Sequence, residues 1–312
     1  MAHEVETMAY NKAEEPWHGL GVPVADNLTP LEMLKAAGLE WEVSKHPIIA
    51  QVGDKAVPVG NKFALVRNTD SKVLDIVGSS FNPVQNIDAF NFFCDFVSEG
   101  TMKMETAGSL KGGRRVFALA AIQESFELPG RDLVNGYLLF SNPHLWGYSI
   151  DIAFTPVRVV CMNTMRMAMD GIEKSTEKFY RQSHAGKFNP EVAKEALGIA
   201  KKKLEQYKDI ATFLRDRRMM KEEAQTYFDA LWPTTSEEKE RSRNSEKAMA
   251  ILDTQPGAQM AEDSWWNGFN AVTYMTDHVI GRSNDNRLNS AWFGQNSGLK
   301  NKALNLAVEM AK

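Results

Sequence analysis

The spacing of apolar residues predicts a helix followed by an antiparallel sheet in the first half of the chain. Between Asn86 and Glu99 the apolar residues recur three or four positions apart, as on a one-sided helix, and Gly100 ends it. Four strand candidates follow, at residues 101–109, 114–123, 132–141 and 147–154. The connections between them are too short for crossover helices, so these strands are expected to be antiparallel.

Shorter elements are predicted on either side of this sheet. Thr29-Pro30 marks the start of a short helix, and residues 41–81 indicate a small β-meander. The strands of that meander are predicted at residues 57–59, 63–67 and 73–79. Thr155-Pro156 is expected to start another helix that ends near Gly171, and a further strand is predicted at residues 177–183.

The strongest helical pattern lies between Asn189-Pro190 and Lys221. Its apolar residues alternate four and three positions apart, as in a heptad repeat: Ala193, Leu197, Ala200, Leu204, Tyr207, Ala211 and Leu214. Beyond a polar stretch at residues 233–245, Trp265-Trp266 and Trp292-Phe293 are interpreted as anchors that dock a C-terminal segment. That segment is predicted to contain a polar loop at residues 281–289 and a helix at residues 299–310.

Together these elements predict an α+β fold class. An antiparallel β-meander flanked by helices is followed by a long amphipathic helix and a helical C-terminal segment. The expected division is a β-rich core with an N-terminal arm (1–185), the long basic helix (186–232), and a linker with the aromatic-rich C-terminal segment (233–312).

Composition places the chain among globular proteins. It has 312 residues, of which 43% are apolar, enough to bury a sizeable core. No apolar run is long enough to span a membrane, and Glu4 and Glu6 stand where a signal peptide would be basic or apolar. Cys94 and Cys161 lack CxxC spacing and are expected to be two buried free thiols. We therefore expect a protein of the host bacterial cytoplasm with no membrane partner.

The net charge of −4 conceals an uneven distribution. Residues 1–156 carry 12 basic and 19 acidic residues, whereas residues 157–312 carry 24 and 21. Within residues 158–221 there are 15 basic and 8 acidic residues. Any anionic ligand is therefore expected at residues 158–221, despite the overall acidity of the chain.

Three positive charges and two glycines occupy one predicted hairpin tip. Lys111, Arg114 and Arg115 flank Gly112-Gly113, where backbone amides and cations can approach phosphates closely. The alternative interpretation is a solvated turn whose charges only prevent aggregation.

A second candidate lies on the helix expected after Thr155-Pro156. Arg158 and Arg166 would fall on one stripe two turns apart and could follow a phosphate backbone. The alternative is that Arg158 is buried and pairs with an acidic residue such as Asp151. Cys161, among apolar residues, is expected to be inert rather than nucleophilic.

Basic residues also recur every seven positions on the long helix. These are Lys194, Lys201, Lys208 and Arg215, which could present a row of phosphate contacts. The alternative is ordinary solvation, with nearby acidic residues pairing at helical spacing. Just before the helix, Lys178, Tyr180 and Arg181 combine charge with a stacking surface, as in single-stranded nucleic-acid grooves, or form an ordinary strand edge.

Catalytic and metal-binding patterns are missing from the sequence. The six histidines show no paired-ligand spacing, and there is no phosphate-binding glycine loop, nucleophile elbow or deaminase pattern. No catalytic residue, metal or cofactor is therefore predicted.

Four blocks of sequence carry a family resemblance. They are residues 16–21 (PWHGLG), 107–117 (AGSLKGGRRVF), 155–164 (TPVRVVCMNT), and 269–273 (FNAVT) with 291–294 (AWFG). They resemble the phage- and plasmid-like family known as domain of unknown function 932, which implies a mobile-element context without an established activity. The order helix, β-meander, helix is similar, in topology alone, to Rad52-like single-strand annealing proteins, which form rings around a basic DNA groove.

These observations lead to two functional hypotheses. The first is a sequence-nonspecific single-stranded DNA-binding protein that promotes annealing or recombination as a homo-oligomer, in the form of a ring if the Rad52-like topology holds. The second is a phage accessory protein that binds a host protein, in counter-defence or takeover, through its acidic N-terminal half.

Overall fold

The fold is described by a computed structural model for residues 5–11, 21–158, 163–164, 181–185, 190–234, 241–281 and 284–312. Its strands are β1 (Val5–Asn11), β2 (Val22–Val24), β3 (Val43–Val52), β4 (Lys55–Arg67), β5 (Val73–Gly78), β6 (Met102–Leu110), β7 (Arg115–Leu128), β8 (Asp132–Pro143), β9 (Ser149–Arg158), β10 (Asn163–Thr164) and β11 (Arg181–Ser183). Its helices are α1 (Pro30–Ala36), α2 (Asn86–Ser98), α3 (Pro190–Arg215), α4 (Lys221–Leu231), α5 (Arg243–Ile251), α6 (Trp265–Tyr274), α7 (Asn284–Phe293) and α8 (Gln295–Met310). This composition confirms the α+β fold class.

The strands form a large sheet and a small one. The large sheet has the order β10-β9-β8-β7-β6-β1-β2, with β11 also paired to β9, and only the β1–β2 pair is parallel. The small sheet is the antiparallel meander β3-β4-β5. The predicted meander β6–β9 is confirmed, because each of these strands pairs antiparallel with the next.

Both faces of the large sheet are covered by helices. On one face, Phe140 and Phe154 pack into a core shared with α2, α3 and α6. On the other face, Phe117 and Leu139 pack with Trp292 of α7, whose ring centroid lies 5.2 Å from that of Phe117. Strand alternation produces this division, because successive side chains of β7 and β8 point to opposite faces.

The helices mostly follow the sequence patterns. Thr29 caps α1, accepting from Glu32 N while the Glu32 carboxylate accepts from Thr29 N, which is a capping box. The apolar seam of α3 is buried over its described half, at Leu204, Tyr207, Ala211 and Leu214. The aromatic anchors are confirmed as well: Trp265, Trp266 and Trp292 are buried. The indole N–H of Trp266 donates to the carboxylate of Asp132 in β8 at 2.8 Å, which joins α6 to the sheet.

Four predictions were wrong in detail. The helix expected from Thr155-Pro156 is not formed there, because β9 continues to Arg158. The loop expected at residues 281–289 contains the start of α7 at Asn284. The strands expected at residues 57–59 and 63–67 are one strand, β4, and its partner β3 had not been predicted separately. Cys94 is a free thiol, as expected, but is only partly buried, and Cys161 lies outside the described residues.

Beyond the small sheet, β3 and β4 extend as a two-stranded arm. The arm pairs Ile48 with Val59 and ends at the Gly53 turn. Its side chains are largely exposed, including Ile49 and Val52 at 63% each. Within the described residues, no helix has the length and apolar character needed to cross a membrane.

Candidate nucleic-acid interface

At one end of the large sheet, the β6–β7 turn lies beside the β8–β9 connection. Lys111, Gly112 and Gly113 in the turn have positive φ angles of 55°, 65° and 87°. The side chains of Lys111 and Arg114 are exposed. The backbone N–H of His144 donates to the carbonyl of Arg114 at 2.8 Å, which holds the two connections together. The two connections are therefore neighbours at this end of the sheet.

The two glycines allow this turn to approach the small sheet closely. A Cβ atom on Gly113 would lie 2.6 Å from Nη1 of Arg67 and 3.1 Å from Oε2 of Glu6. A Cβ atom on Gly112 would collide with Nζ of Lys72. The left-handed backbone favours glycine at both positions, and at Gly113 the hydrogen-bonded guanidinium of Arg67 also leaves little room for a side chain. The glycine pair thus has a structural reason that does not depend on phosphate binding.

Arg67 forms an ion-pair network beneath the turn. Its Nη1 and Nη2 donate to the two carboxylate oxygens of Glu6 at 2.8 and 2.9 Å. Its Nε and Nη2 donate to Asp70 at 2.9 and 2.6 Å, and these hydrogen bonds lower the pKa of Asp70 to about 2. Nζ of Lys72 lies 3.6 Å from Glu6. The network joins β1, β4 and the β4–β5 connection, and therefore fixes the small sheet against the large one.

Two exposed aromatic side chains stand on the β8–β9 connection. Trp146 is 49% exposed and Tyr148 is 53% exposed. The backbone N–H of Trp146 donates to Asp75 at 2.6 Å, and its ring lies against Gly78, where a Cβ atom would be 3.1 Å away. The indole is therefore held in place while much of its surface stays open to solvent.

Cations flank both aromatic rings. Nζ of Lys62 lies 5.7 Å from the ring centroid of Trp146, and the guanidinium of Arg115 lies 5.4 Å from that of Tyr148. Lys111 and Arg114 are exposed on the neighbouring turn. We define the cation–aromatic surface as Lys62, Lys111, Arg114, Trp146 and Tyr148. Stacking faces beside positive charge are the combination by which proteins bind single-stranded nucleic acids.

Arg115 does not lie at the hairpin tip as predicted. It is 5% exposed, its Nη1 donates to Oγ of Ser141 at 2.9 Å, and it packs 4.4 Å from the ring centroid of Phe293. Arg115 is the first residue of β7, so its side chain points to the opposite face from its exposed neighbour Arg114. Arg115 supports Tyr148 and has little surface to offer a phosphate.

Lys201 of α3 lies far from this surface. It forms an ion pair with Glu124, which is ten positions along the chain from Arg114, about 30 Å at the usual strand rise. Lys208 is exposed, Arg215 is half-buried, and the side chain of Lys194 is outside the described structure. The fold therefore does not bring Lys201 together with the β6–β7 turn.

The remaining predicted contacts are on β9, β11 or outside the described residues. Arg158 is the last residue of β9 and pairs with Val134 of β8. The helix that was expected to align Arg158 with Arg166 is therefore not formed at Arg158. Arg158 and Asp151 stand seven positions apart on one strand, about 23 Å, which rules out the alternative ion pair. Arg181 begins β11 opposite Asp151. Arg166, Lys178 and Tyr180 lie outside the described residues.

Sequence reasoning missed Trp146, Tyr148 and Lys62. Residues 142–144 were identified only as a turn between two strands, and Tyr148 was assigned to the strand predicted at residues 147–154. Two large aromatics in a short connection were a usable signal, because such a connection has little core to bury them in. Lys62 had no local signal, since strand pairing alone places it opposite Gly78 and so beside Trp146.

Buried polar groups support the surface from below. Nε2 of His144 is 3.1 Å from Oδ1 of Asn86, and its ring lies 5.2 Å from that of Trp41. Burial, with a further contribution from His184, lowers the pKa of His144 to about 3, so the ring is neutral. Among the described residues, no group of three or more His, Cys, Asp or Glu side chains could hold a metal ion.

Comparison with known proteins gives a family but no relative of established activity. A family model described as Domain of unknown function (DUF932) matches residues 73–292. This range contains the β6–β7 turn, the β8–β9 connection and α3. No curated protein and no solved structure matches the chain.

Proposed function

The chain belongs to the family described as Domain of unknown function (DUF932), and on that premise we propose that it binds single-stranded DNA without sequence preference, through the cation–aromatic surface. In this proposal it is encoded by phages and plasmids and promotes strand annealing or recombination in the host cytoplasm.

The observation that carries the proposal is the exposure of Trp146 and Tyr148 beside cations. About half of each aromatic side chain is open to solvent, although both rings are held by the surrounding fold. Every base has a flat face, so stacking on such rings is tolerant of sequence and is worth about 1–3 kcal/mol per base. Lys62, Lys111 and Arg114 would attract the phosphates on either side.

The overall acidity of the chain does not exclude this function. Exposed charges separated by more than about 8–10 Å are largely screened at physiological salt, so the charge near the strand matters more than the total of −4. The acidic groups nearest the surface are also occupied: Glu6 and Asp70 bind Arg67, and Asp75 binds the backbone of Trp146.

Annealing would require several copies of the chain. Two aromatic rings can stack only about two bases, which is fewer than the roughly 4–16 nucleotides that single-strand-binding modules usually cover. A homo-oligomer, such as a ring, would align several of these surfaces along one strand. The order of α2, the β6–β9 meander and α3 is compatible with the topological likeness to Rad52-like annealing proteins, with the closing helix later than expected.

A titration of labelled oligothymidylate into the protein, followed by fluorescence anisotropy over a salt series, tests the proposal. Binding should weaken steeply with salt, and a mixed-sequence single strand should bind about equally well. The double variant Trp146→Ala/Tyr148→Ala should lose roughly tenfold or more in affinity. It should stay folded, with a moderately lower melting temperature because about half of each side chain packs against the fold.

Two charge-matched variants locate the site. Lys62→Ala/Arg114→Ala removes two cations from the cation–aromatic surface, whereas Lys208→Ala/Lys247→Ala removes two exposed cations from α3 and α5. The first should weaken binding more than the second. Equal losses would mean that only net charge matters, and no binding of any oligonucleotide at ~50 mM salt would refute the proposal, because nonspecific affinity is greatest there.

A further inference from the structure

A pocket of about 440 Å³ lies on a different part of the molecule, between α1, the start of α2 and the segment that leads into β3. Leu34 and Trp41 form its floor and are almost fully buried. Leu31 and Ile87 stand on its walls with 41% and 48% of their surfaces exposed. The volume and apolar lining fall in the range of sites that hold one or two bulky side chains.

The rim of this pocket is acidic. Glu32, Glu40 and Glu42 line it together with one cation, Lys35. All three glutamates are exposed. Glu32 uses one carboxylate oxygen, Oε2, to accept from the backbone and hydroxyl of Thr29 at 2.8 Å each. The rim therefore attracts cations and repels nucleic acids, in contrast to the cation–aromatic surface.

The walls of the pocket are fixed before any ligand arrives. Gln85 bonds to both the N–H and the carbonyl of Val43 at 3.0 Å, which ties the start of α2 to β3. Trp41 is held between His144, 5.2 Å away, and Arg67, 5.2 Å from its ring centroid. The capping box at Thr29 orders the first turn of α1. A preformed pocket does not have to be ordered on binding, which favours the affinity of a short ligand.

We propose that this pocket docks a short basic segment of a partner protein. A leucine, isoleucine or phenylalanine of the segment enters between Leu31 and Ile87, and lysines or arginines beside it face Glu40 and Glu42. Charge complementarity selects this partner, because an acidic peptide or a nucleic acid would meet the same carboxylates with repulsion. The inference goes beyond the proposed DNA binding and does not depend on it.

Selection from a display library of random short peptides against the intact protein tests this inference. Enriched peptides should combine lysine or arginine with a bulky apolar residue, and their binding should weaken at high salt. Affinity should fall by roughly tenfold or more for Leu31→Ser/Ile87→Ser and for Glu40→Lys/Glu42→Lys. Both pairs are exposed, so both variants should fold.

Matched control variants distinguish binding in this pocket from nonspecific binding to other exposed apolar or acidic residues. Ile49→Ser/Val52→Ser alters equally apolar exposed residues on the β3–β4 arm, and Glu262→Lys/Glu309→Lys makes the same charge change elsewhere. Both controls should retain the selected peptides, and the pocket variants should still bind oligothymidylate if the cation–aromatic surface is the DNA site. Enrichment of acidic peptides, loss with the control variants, or no enrichment at all would overturn the inference.

Discussion

Arg114 and Arg115 are neighbours in the chain, but one side chain is exposed and the other is buried. Arg114 is exposed in the turn, whereas Arg115 is buried against Ser141, Tyr148 and Phe293. Their sequence environment is nearly the same, and only the alternation of the strand distinguishes them. A double substitution of both residues would therefore mix a surface effect with a core effect, and the two must be tested one at a time.

The single substitutions should give different results. Arg114→Ala should weaken single-stranded DNA binding and leave the free energy of unfolding almost unchanged. Arg115→Ala should cost about 1–3 kcal/mol of stability, because it removes a buried charged hydrogen bond and two ring contacts. Urea titrations and anisotropy on the same samples distinguish these outcomes. If Arg114→Ala binds single-stranded DNA as tightly as the parent protein, the β6–β7 turn is a solvated turn and not part of the binding site.

His144 should make stability depend on pH in the acidic range. Burial lowers the pKa of His144 from 6.5 to about 3. Between these two pH values the imidazole binds a proton in the unfolded chain but not in the folded chain. Stability contributed by the neutral ring is present above pH 6.5 and is lost as the pH falls toward 3. The slope for one such group is about 1.4 kcal/mol per pH unit.

His144→Gln should flatten the pH dependence by about this slope, whatever it does to absolute stability. Burial also lowers the pKa of His184, so His184 would continue to contribute to the pH dependence of stability. The measurement is the urea midpoint between pH 7 and pH 4, and the control is His46→Gln on an exposed side chain. An unaltered slope in His144→Gln would mean that the ring is protonated in the folded protein.

At the scale of elements, the β6–β7 turn is expected to stabilise the packing of the small sheet against the large one, as well as to form part of a binding surface. Gly113→Ala would place a methyl group 2.6 Å from Arg67 on a backbone with φ of 87°. Gly147→Ala has a similar φ of 81° but meets nothing within 4 Å. Gly113→Ala should therefore lower the melting temperature more than Gly147→Ala, which carries only the backbone strain of about 1 kcal/mol. Equal effects would show that the close approach relaxes without cost.

Periodicity predicted the elements that have one buried face. Helix α2 and the meander β6–β9 were found at nearly their observed bounds, because their apolar residues repeat with a clear period. The helix expected at Thr155-Pro156 was wrong, since a threonine before a proline is equally compatible with a strand. Pro156 lies inside β9, opposite Gly136 of β8.

The cation–aromatic surface could be predicted only in part. Lys111 and Arg114 were visible as charges in a glycine turn, and their exposure followed from the hairpin. Their proximity to Trp146 and Lys62 depends on how the small sheet packs against the large one. That packing is fixed by Arg67 and Glu6, which are 61 positions apart in the chain. Local patterns carry no information about such a pair.

In the whole molecule, positive and negative charge are separated between different surfaces. The sequence suggested an acidic first half and a basic stretch at residues 158–221. In the fold, the cation–aromatic surface belongs to the acidic half, and the acidic pocket beside α1 belongs to the same half. Net charge by region therefore does not give the local charge of a surface, because a few exposed side chains at a sheet end can outweigh the regional total.

Annealing requires two complementary strands to be held at once. The protein should accelerate the pairing of two complementary labelled oligonucleotides, and the rate should rise more than linearly with protein concentration if several copies share a strand. Trp146→Ala/Tyr148→Ala should abolish the acceleration, whereas Lys208→Ala/Lys247→Ala should largely preserve it. Sedimentation velocity on the same samples gives the oligomeric state with and without DNA. Tight DNA binding without acceleration would retain the cation–aromatic surface as a binding site and exclude annealing as its purpose.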